Sequence, residues 1–247
     1  MIRIAAIGDL HIRHRQPASA DLLAGLEDRA DMLVLAGDIT NNGLIGEVNT
    51  AISTLAAVTI PVIAVLGNHD RRGMRRRAIR NRLEQAGIQV LDGESTVIET
   101  TSGPVGIAGV SGSGGGFWTQ EDEQLFRLKA FRALALRIRR EAERLDRALA
   151  ALDTETTVAV THFSPTPSTL GEEPARKYWM LGNTELARVI DSHQVDLVIH
   201  GHAHLGNPEG YTPGGSLVRN AALPVNGQVV IITLDPRSRA VAQAVFP

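Results

Sequence analysis

Ile2–His11 reads IRIAAIGDLH, Met32–Ile39 reads MLVLAGDI and Pro61–Asp70 reads PVIAVLGNHD. Each is a short apolar run closed by glycine and then by an acid or an amide. The runs Ile2–Ile7, Met32–Ala36 and Pro61–Leu66 are rich in Ile, Val and Leu and scarcely alternate, so they suit strands buried on both faces. Helical patterns separate them. Ala20–Ala30 has apolar residues at 22, 23 and 26, and Gly46–Ala57 has them at 48, 52 and 55. This β-α-β-α-β order predicts parallel strands joined by right-handed crossovers. Gly8-Asp9, Gly37-Asp38 and Gly67-Asn68 then fall just past the strand C-termini, where open α/β sheets place ligands.

Further along, Met74–Ala86 predicts a third helix with Gly87 as its stop. Ile88–Leu91, Thr96–Thr101 and Val105–Val110 read as strands, and Gly112–Gly116 as a loop. Thr119–Leu152 has no Gly or Pro and predicts one long helix, or two with a bend. Its apolar residues at 125, 128, 131, 134, 138, 145, 149 and 152 suit packing on a sheet, with a homo-oligomer face as the alternative. Thr156–Val160 and Val195–Ile199 are further buried strands. Leu217–Leu223, Gln228–Leu234 and Val241–Val245 are closely spaced, and Asn226-Gly227 predicts a hairpin turn within an antiparallel tail. No repeat or long linker divides the chain, so residues 1–247 read as one domain.

Composition narrows the chemistry. The 247 residues carry 25 Lys and Arg against 27 Asp and Glu, a net charge of −2, so no global basic field favours nucleic acid or a membrane surface. There is no cysteine, which excludes disulfides, Fe–S clusters, cysteine nucleophiles and Cys-ligated zinc. A metal would have to be held by His, Asp, Glu or Asn. No stretch approaches about 18 consecutive apolar residues, which argues against a membrane span. The N-terminal apolar run is too short for a secretory signal, and the chain reads as soluble and cytoplasmic.

Five of the eight histidines follow strand ends in Gly, Asp or Asn contexts: His11, His69, His162, His202 and His204. With Asp9, Asp38 and Asn68 they offer carboxylate, amide and imidazole groups. Seven ligands, one of them a carboxylate able to bridge, suit two metals roughly 3.5–4 Å apart. Taken singly, each piece has a plain structural reading: a turn, a helix cap or an incidental histidine. Together they occur in one order, each at a strand end.

That order, Asp9-x-His11, Gly37-Asp38, Gly67-Asn68-His69-Asp70, His162 and Gly201-His202-x-His204, resembles the calcineurin-like metallophosphoesterase superfamily. The resemblance runs from Asp9 to His204. It implies an α/β fold, a four-layer αββα sandwich of two mixed β-sheets flanked by helices, and a two-metal phosphoester hydrolase working through a metal-bridging hydroxide. It assigns Asp9, His11 and His204 to one metal, and Asn68, His162 and His202 to the other. Asp38 bridges the two, and His69 is a non-ligand histidine beside the scissile bond, so Asp38 and His69 are the catalytic candidates. Mixed N/O ligation favours manganese, iron or zinc over magnesium or calcium. In the phosphoprotein-phosphatase branch Asn41 is replaced by an acid that orients the catalytic histidine, and Asn42 by a phosphate-binding arginine. Their absence here leans toward a phosphodiesterase acting on a small nucleotide-like substrate. It leaves Asp70 or a backbone carbonyl to orient His69. A nuclease of the same superfamily and a non-catalytic scaffold with the same fold are the alternatives. The short tail and the net charge count against the first, and the complete ligand set against the second.

Weaker signals remain. The seven arginines of Arg71–Arg82 read as a solvated helix face, or as a basic rim for a phosphorylated substrate. Gly112–Gly116 reads as a phosphate cradle or a flexible connection, and Phe117-Trp118 as a wall for a flat group. Lys177-Tyr178-Trp179 could stack on a base or anchor a loop. His200 reads as support for the metal ligands or a plain strand-end residue, and His14 and His193 as surface histidines.

Overall fold

The computed structural model describes residues 1–117 and 129–235. Among these residues eleven strands form two sheets. The first contains β1 (Ile2–Ile7), β2 (Met32–Ala36), β3 (Val62–Val65), β4 (Gln89–Val90) and β11 (Val230–Leu234), in the order β11-β1-β2-β3-β4. Its members run parallel except β11, which pairs antiparallel with β1. The second contains β5 (Glu94–Thr100), β6 (Gly103–Gly109), β7 (Thr156–Val160), β8 (Leu197–His200), β9 (Glu209–Tyr211) and β10 (Leu217–Asn220), in the order β5-β6-β7-β8-β10-β9. Its four central strands are parallel and both edge strands antiparallel.

The strand sequences explain the layering. Alternate residues face opposite ways, and in β1 and β2 both sets are apolar. Ile4, Ala6, Met32 and Val34 meet Val105, Ile107, Val158, Val160, Leu197 and Ile199 of the second sheet. Ala5, Ile7, Leu33 and Leu35 face the helices α1 (Leu26–Arg29), α2 (Ile45–Leu55) and α3 (Arg76–Gln85) through Leu26, Val48, Ala51, Ile79 and Leu83. The outer face of the second sheet packs Ala159, Val198 and Val218 against α4 (Lys129–Ala150) and α6 (Thr184–Ser192). The result is helix, sheet, sheet, helix, the four layers expected. Each large side chain in these clusters contributes about 1.5–3 kcal/mol by burial.

Three expectations need correction. Ala20–Ala30 is not one helix: a single 3₁₀ turn at Ala20–Leu22 is followed by Gly25 in the left-handed region (φ 64°), and only the short α1 follows. Asn226-Gly227 does not close a hairpin. Leu223–Asn226 forms a helical turn, α7, with proline in its first turn and Gly227 as its cap, and it carries the chain from β10 in one sheet to β11 in the other. The tail is mixed rather than wholly antiparallel, because β10 lies parallel to β8. Of the long helix expected over Thr119–Leu152, the described part is α4. Trp118 and the strand expected at Val241–Val245 lie outside the described residues. Gly87 ends α3 with φ 85°, as a helix-stopping glycine should.

Candidate metal centre

The C-terminal ends of β1, β2, β3, β7 and β8 meet at one edge of the sandwich, and the loops that leave them carry the polar residues. Four of these residues take left-handed backbone, which side-chain-bearing residues rarely adopt: Asp9 (φ 58°), His11 (φ 45°), Asp38 (φ 50°) and His202 (φ 71°). Each costs on the order of 1–2 kcal/mol relative to ordinary backbone. The conformation is held by bonds that continue the β1–β2 pairing past the strands, Asp9 N to Gly37 O and His11 N to Asp38 O, both 3.0 Å. Two carboxylates then stitch the loops together. Asp9 Oδ2 accepts the His202 amide at 2.8 Å, and Asp38 Oδ1 accepts the His69 amide at 2.7 Å. Gly37 is needed for space as well as for its φ of 84°: a Cβ there would lie 2.5 Å from His162 Nδ1.

These loops bring the seven expected ligands together. Asp9, His11 and His204 form one group of donor atoms within 4.8 Å of one another, Asp38, His162 and His202 form another, and His11, Asp38 and His69 form a third between them. His204 Nε2 is 3.0 Å from Asp9 Oδ1, and His11 Nε2 is 3.9 Å from both Asp9 Oδ1 and Asp38 Oδ2. His162 Nε2 lies 3.4 Å from Asp38 Oδ1 and 2.9 Å from Asn68 Oδ1, which places the amide in the second group. Asp38 touches both sides. His69 stands on the open side with Nε2 3.8 Å from Asp38 Oδ2, and its ring packs edge-on to His11 at 4.4 Å.

The donor chemistry fits metal ions. His162 Nδ1 donates to Ala36 O at 2.9 Å, which directs Nε2 into the cluster. His202 Nε2 donates to Met180 O at 3.3 Å, which leaves Nδ1 as its lone-pair nitrogen. His11 Nδ1 is buried without a hydrogen-bond partner among the described residues. Protonation follows the same geometry. Burial opposes the charge on His162, but the Asp38 carboxylate outweighs it and raises this imidazole to about 9. Burial pushes His202 down to about 3. Asp38 is held below the ordinary carboxylate range because His162 and the His69 amide overcome the effect of burial, and Asp9 is lowered in the same way by its bond from His204. The site therefore carries two buried carboxylates and a buried imidazolium, a charge pattern that cations can take over.

The structure decides what orients His69. Its Nδ1 donates to the Asn41 carbonyl oxygen at 2.8 Å. Asp70, the other candidate, is fully buried and points away. It accepts the amides of Ile39, Thr40 and Gly67 and the Thr40 hydroxyl, and so clamps the β2 and β3 loops together. Burial and the neighbouring Asp38 raise its carboxyl. Asn42 turns its side chain onto Glu47 at 3.1 Å.

Two further supports had no sequence signal. Glu47 is a buried carboxylate that also accepts the Asn42 and Leu44 amides, and Glu173 accepts the Leu205 amide just beyond His204. His200 is fully buried, bonded to Thr169 and to the Gly201 carbonyl, and burial pulls it down to about 4. It packs beneath the ligand loop as a neutral ring. His14 is exposed, while His193 pairs with Asp146 at 2.8 Å. The glycine loop has few amides left to cradle a phosphate. The amides of Gly112, Gly115 and Gly116 are spent on Glu141, Trp179 and Gly182. Tyr178 begins the short helix α5 (Tyr178–Leu181) and packs on Leu170, Leu181 and Ala203, so it anchors that segment.

The sequence profile described as calcineurin-like phosphoesterase matches residues 2–206, which covers every residue of this centre. The chain belongs to the calcineurin-like phosphoesterase family. It is thus a phosphoesterase of a metal-dependent family, with Asp and His groups arranged to hold metal. Its fold is similar to that of phosphopantetheinyl hydrolase (PptH) from Mycobacterium tuberculosis. The TM-score is 0.66 at 17% identity, over 95% of this chain and 96% of that one. The protein TT1561 of Thermus thermophilus is similar with TM-score 0.57 and 18% identity, over 96% of each chain. At such identities the likeness is one of fold. No curated protein sequence matches the chain significantly. No helix among the described residues is long and apolar enough to cross a membrane.

Proposed function

We propose that this calcineurin-like phosphoesterase is a two-metal phosphodiesterase acting on a small, nucleotide-like phosphodiester. The observation that carries the reading is the run of donor groups that meet at Asp38, with His69 at their edge and its Nδ1 held by a backbone carbonyl. Asp9, His11 and His204 would hold one ion and Asn68, His162 and His202 the other, with Asp38 shared. Manganese, iron and zinc suit this donor set. Bound ions of this kind supply Lewis acidity to the phosphoryl oxygens and to the attacking water.

The protein supplies position and a proton. The Asn41 carbonyl fixes the His69 ring so that Nε2 faces the reaction space beside Asp38. A protonated Nε2 can pass its proton to the departing alkoxide, which is expensive to expel unprotonated. The diester preference rests on Asn42. A monoester dianion gains most from a bidentate guanidinium, whereas here the side chain at that position is an amide bonded to Glu47.

The test is a screen of the metal-reconstituted protein with bis-p-nitrophenyl phosphate, p-nitrophenyl phosphate, 2′,3′- and 3′,5′-cyclic nucleotides and single-stranded DNA. Faster turnover of the small diesters is expected. Preference for the monoester or for DNA, or no turnover with any of the three metals, would overturn the proposal.

A further inference from the structure

The arginines of residues 71–82 are of two kinds. Arg80 pairs with Glu84 and Glu94, both at 2.8 Å, and Arg82 donates to Asn49 at 2.9 Å, so these belong to a solvated helix face. Arg71 turns inward, with 17% of its side chain exposed, and Arg76, 37% exposed, reaches the same carboxylate from the surface. Together with Arg144 of α4 they converge on Asp92. Arg144 Nη2 is 2.8 Å from Oδ2, Arg76 contacts the same oxygen, and Arg71 Nη2 stops 3.9 Å from Oδ1. Glu141 lies 3.5 Å from Arg144 and already accepts the Gly112 amide. Three guanidinium groups therefore share two carboxylates.

The donors are not satisfied by this arrangement. Nε and Nη2 of Arg71 are buried and, among the described residues, have no hydrogen-bond acceptor. The 3.9 Å gap to Asp92 is too long for a hydrogen bond. Buried charged donors without acceptors are costly; Asp92 Oδ1, 3.9 Å away, is likewise unpaired among the described residues, and an incoming anion offers Arg71 the further acceptors that this one oxygen does not. The neighbouring loop adds to the deficit. Ser111 and Ser113 flank Gly112, are 1% and 2% exposed, and hold hydroxyls with no partner among the described residues.

The cluster borders the metal centre on two sides. Arg71 follows His69 by two residues, and its amide bonds to Asn68 O at 3.3 Å. Ser111 O accepts the His162 amide at 3.0 Å. We propose that Arg71, Arg76 and Arg144 form an anion subsite beside the metal centre, bordered by the Ser111–Ser113 loop, which takes a phosphate group. Three guanidinium groups gathered in one place suit a tetrahedral oxyanion with several acceptor oxygens better than a single planar carboxylate. The group is either a second phosphate of the substrate or free phosphate. The first source deepens the phosphodiesterase reading and rests on it; the second does not need it.

Calorimetric titration of the metal-stripped protein with inorganic phosphate tests the subsite without the metals. Saturable binding of about one phosphate per chain is expected, lost in Arg71→Gln and partly kept in Arg71→Lys, since charge and not shape alone draws the anion. Melting temperatures and near-UV circular dichroism establish that each variant is folded. Should Arg71→Gln not fold, Arg76→Gln at the same carboxylate takes its place. Absence of phosphate binding to the stripped wild type, or undiminished binding by both glutamine variants, would overturn the proposal.

A second arm distinguishes the sources in the metal-loaded enzyme. It compares thymidine 5′-(p-nitrophenyl phosphate) with the same ester carrying a 3′-phosphate. If the substrate supplies the group, the 3′-phosphate lowers KM by about tenfold and Arg71→Gln removes the difference. Equal KM values together with phosphate binding to the stripped protein assign the subsite to free phosphate. If neither ester is hydrolysed, the phosphodiesterase reading fails and the titration still decides the subsite.

Discussion

Gly37 and Gly87 make a matched pair for testing what shapes the metal centre. Their φ angles are 84° and 85°, so alanine meets the same backbone strain at each, about 1 kcal/mol. Their surroundings differ. A Cβ on Gly87 would have nothing within 4 Å, whereas one on Gly37 would lie 2.5, 2.7 and 2.8 Å from three atoms of His162. Ordinary contact begins at 3.4 Å, so the imidazole must retreat by about 0.9 Å. It has nowhere to go. The ring is fully buried and tied at Nδ1 to Ala36 O and at Nε2 to Asn68 Oδ1. Overpacking of this kind costs about 1–3 kcal/mol, and a misplacement near 1 Å costs about a hundredfold in rate. Gly37→Ala should thus lower kcat on a small diester about a hundredfold and weaken metal retention, while Gly87→Ala loses only about 1 kcal/mol of stability. Kinetics on bis-p-nitrophenyl phosphate, metal analysis and thermal melts of both variants measure this. Equal activity in the two, with His162 still binding metal in Gly37→Ala, would refute the steric reasoning.

Asp38→Asn keeps the acceptor for the His69 amide but removes the charge shared by both donor groups, and should cost about a thousandfold or more in rate; near-normal turnover would remove Asp38 from the bridge. His69→Ala should keep both metals and lose about 10²–10⁴-fold, less with a p-nitrophenolate leaving group than with a nucleoside alkoxide. Loss of a metal in that variant would instead make His69 a ligand. In the metal-free protein His162 is raised to about 9, so its contribution to stability is complete below the unfolded value near 6.5 and disappears as pH rises through about 9. A metal needs the neutral ring, so uptake at pH 7.5 should release a proton that an indicator dye can count, and affinity should climb with pH. His202, pushed down to about 3, is already neutral and should release none. Metal uptake at pH 7.5 with no proton released would contradict this charge assignment.

The strand ends were legible because two physical signals coincide there. Runs such as Met32–Ala36 are apolar on both faces, which only a strand between two layers requires, and the following Gly-Asp breaks that pattern abruptly. The tail was harder. Asn-Gly between two apolar stretches is a strong hairpin signal, but Pro224 can open a helical turn as readily as it can follow a strand, and the choice depends on two sheets that no local pattern reveals. Gly25 likewise cut a periodic stretch that read as continuous helix. At the site, residue types announced the candidate ligands, whereas the group holding His69 is a backbone carbonyl, which every residue possesses. Glu47 and Glu173 were silent for a similar reason: a carboxylate that braces a loop looks in sequence like one facing solvent. The inward turn of Arg71 was hidden among neighbours of the same type that do form an exposed face.

Metal content measures the central claim most directly. Purified protein saturated with manganese, iron or zinc, freed of loose ions and analysed by mass spectrometry, should hold about two ions per chain, because the donor groups on either side of Asp38 each suit one. The Asp38→Asn protein, folded by circular dichroism, should fall below that value. A firm stoichiometry of one, or none, in the wild-type protein would contradict the two-metal centre.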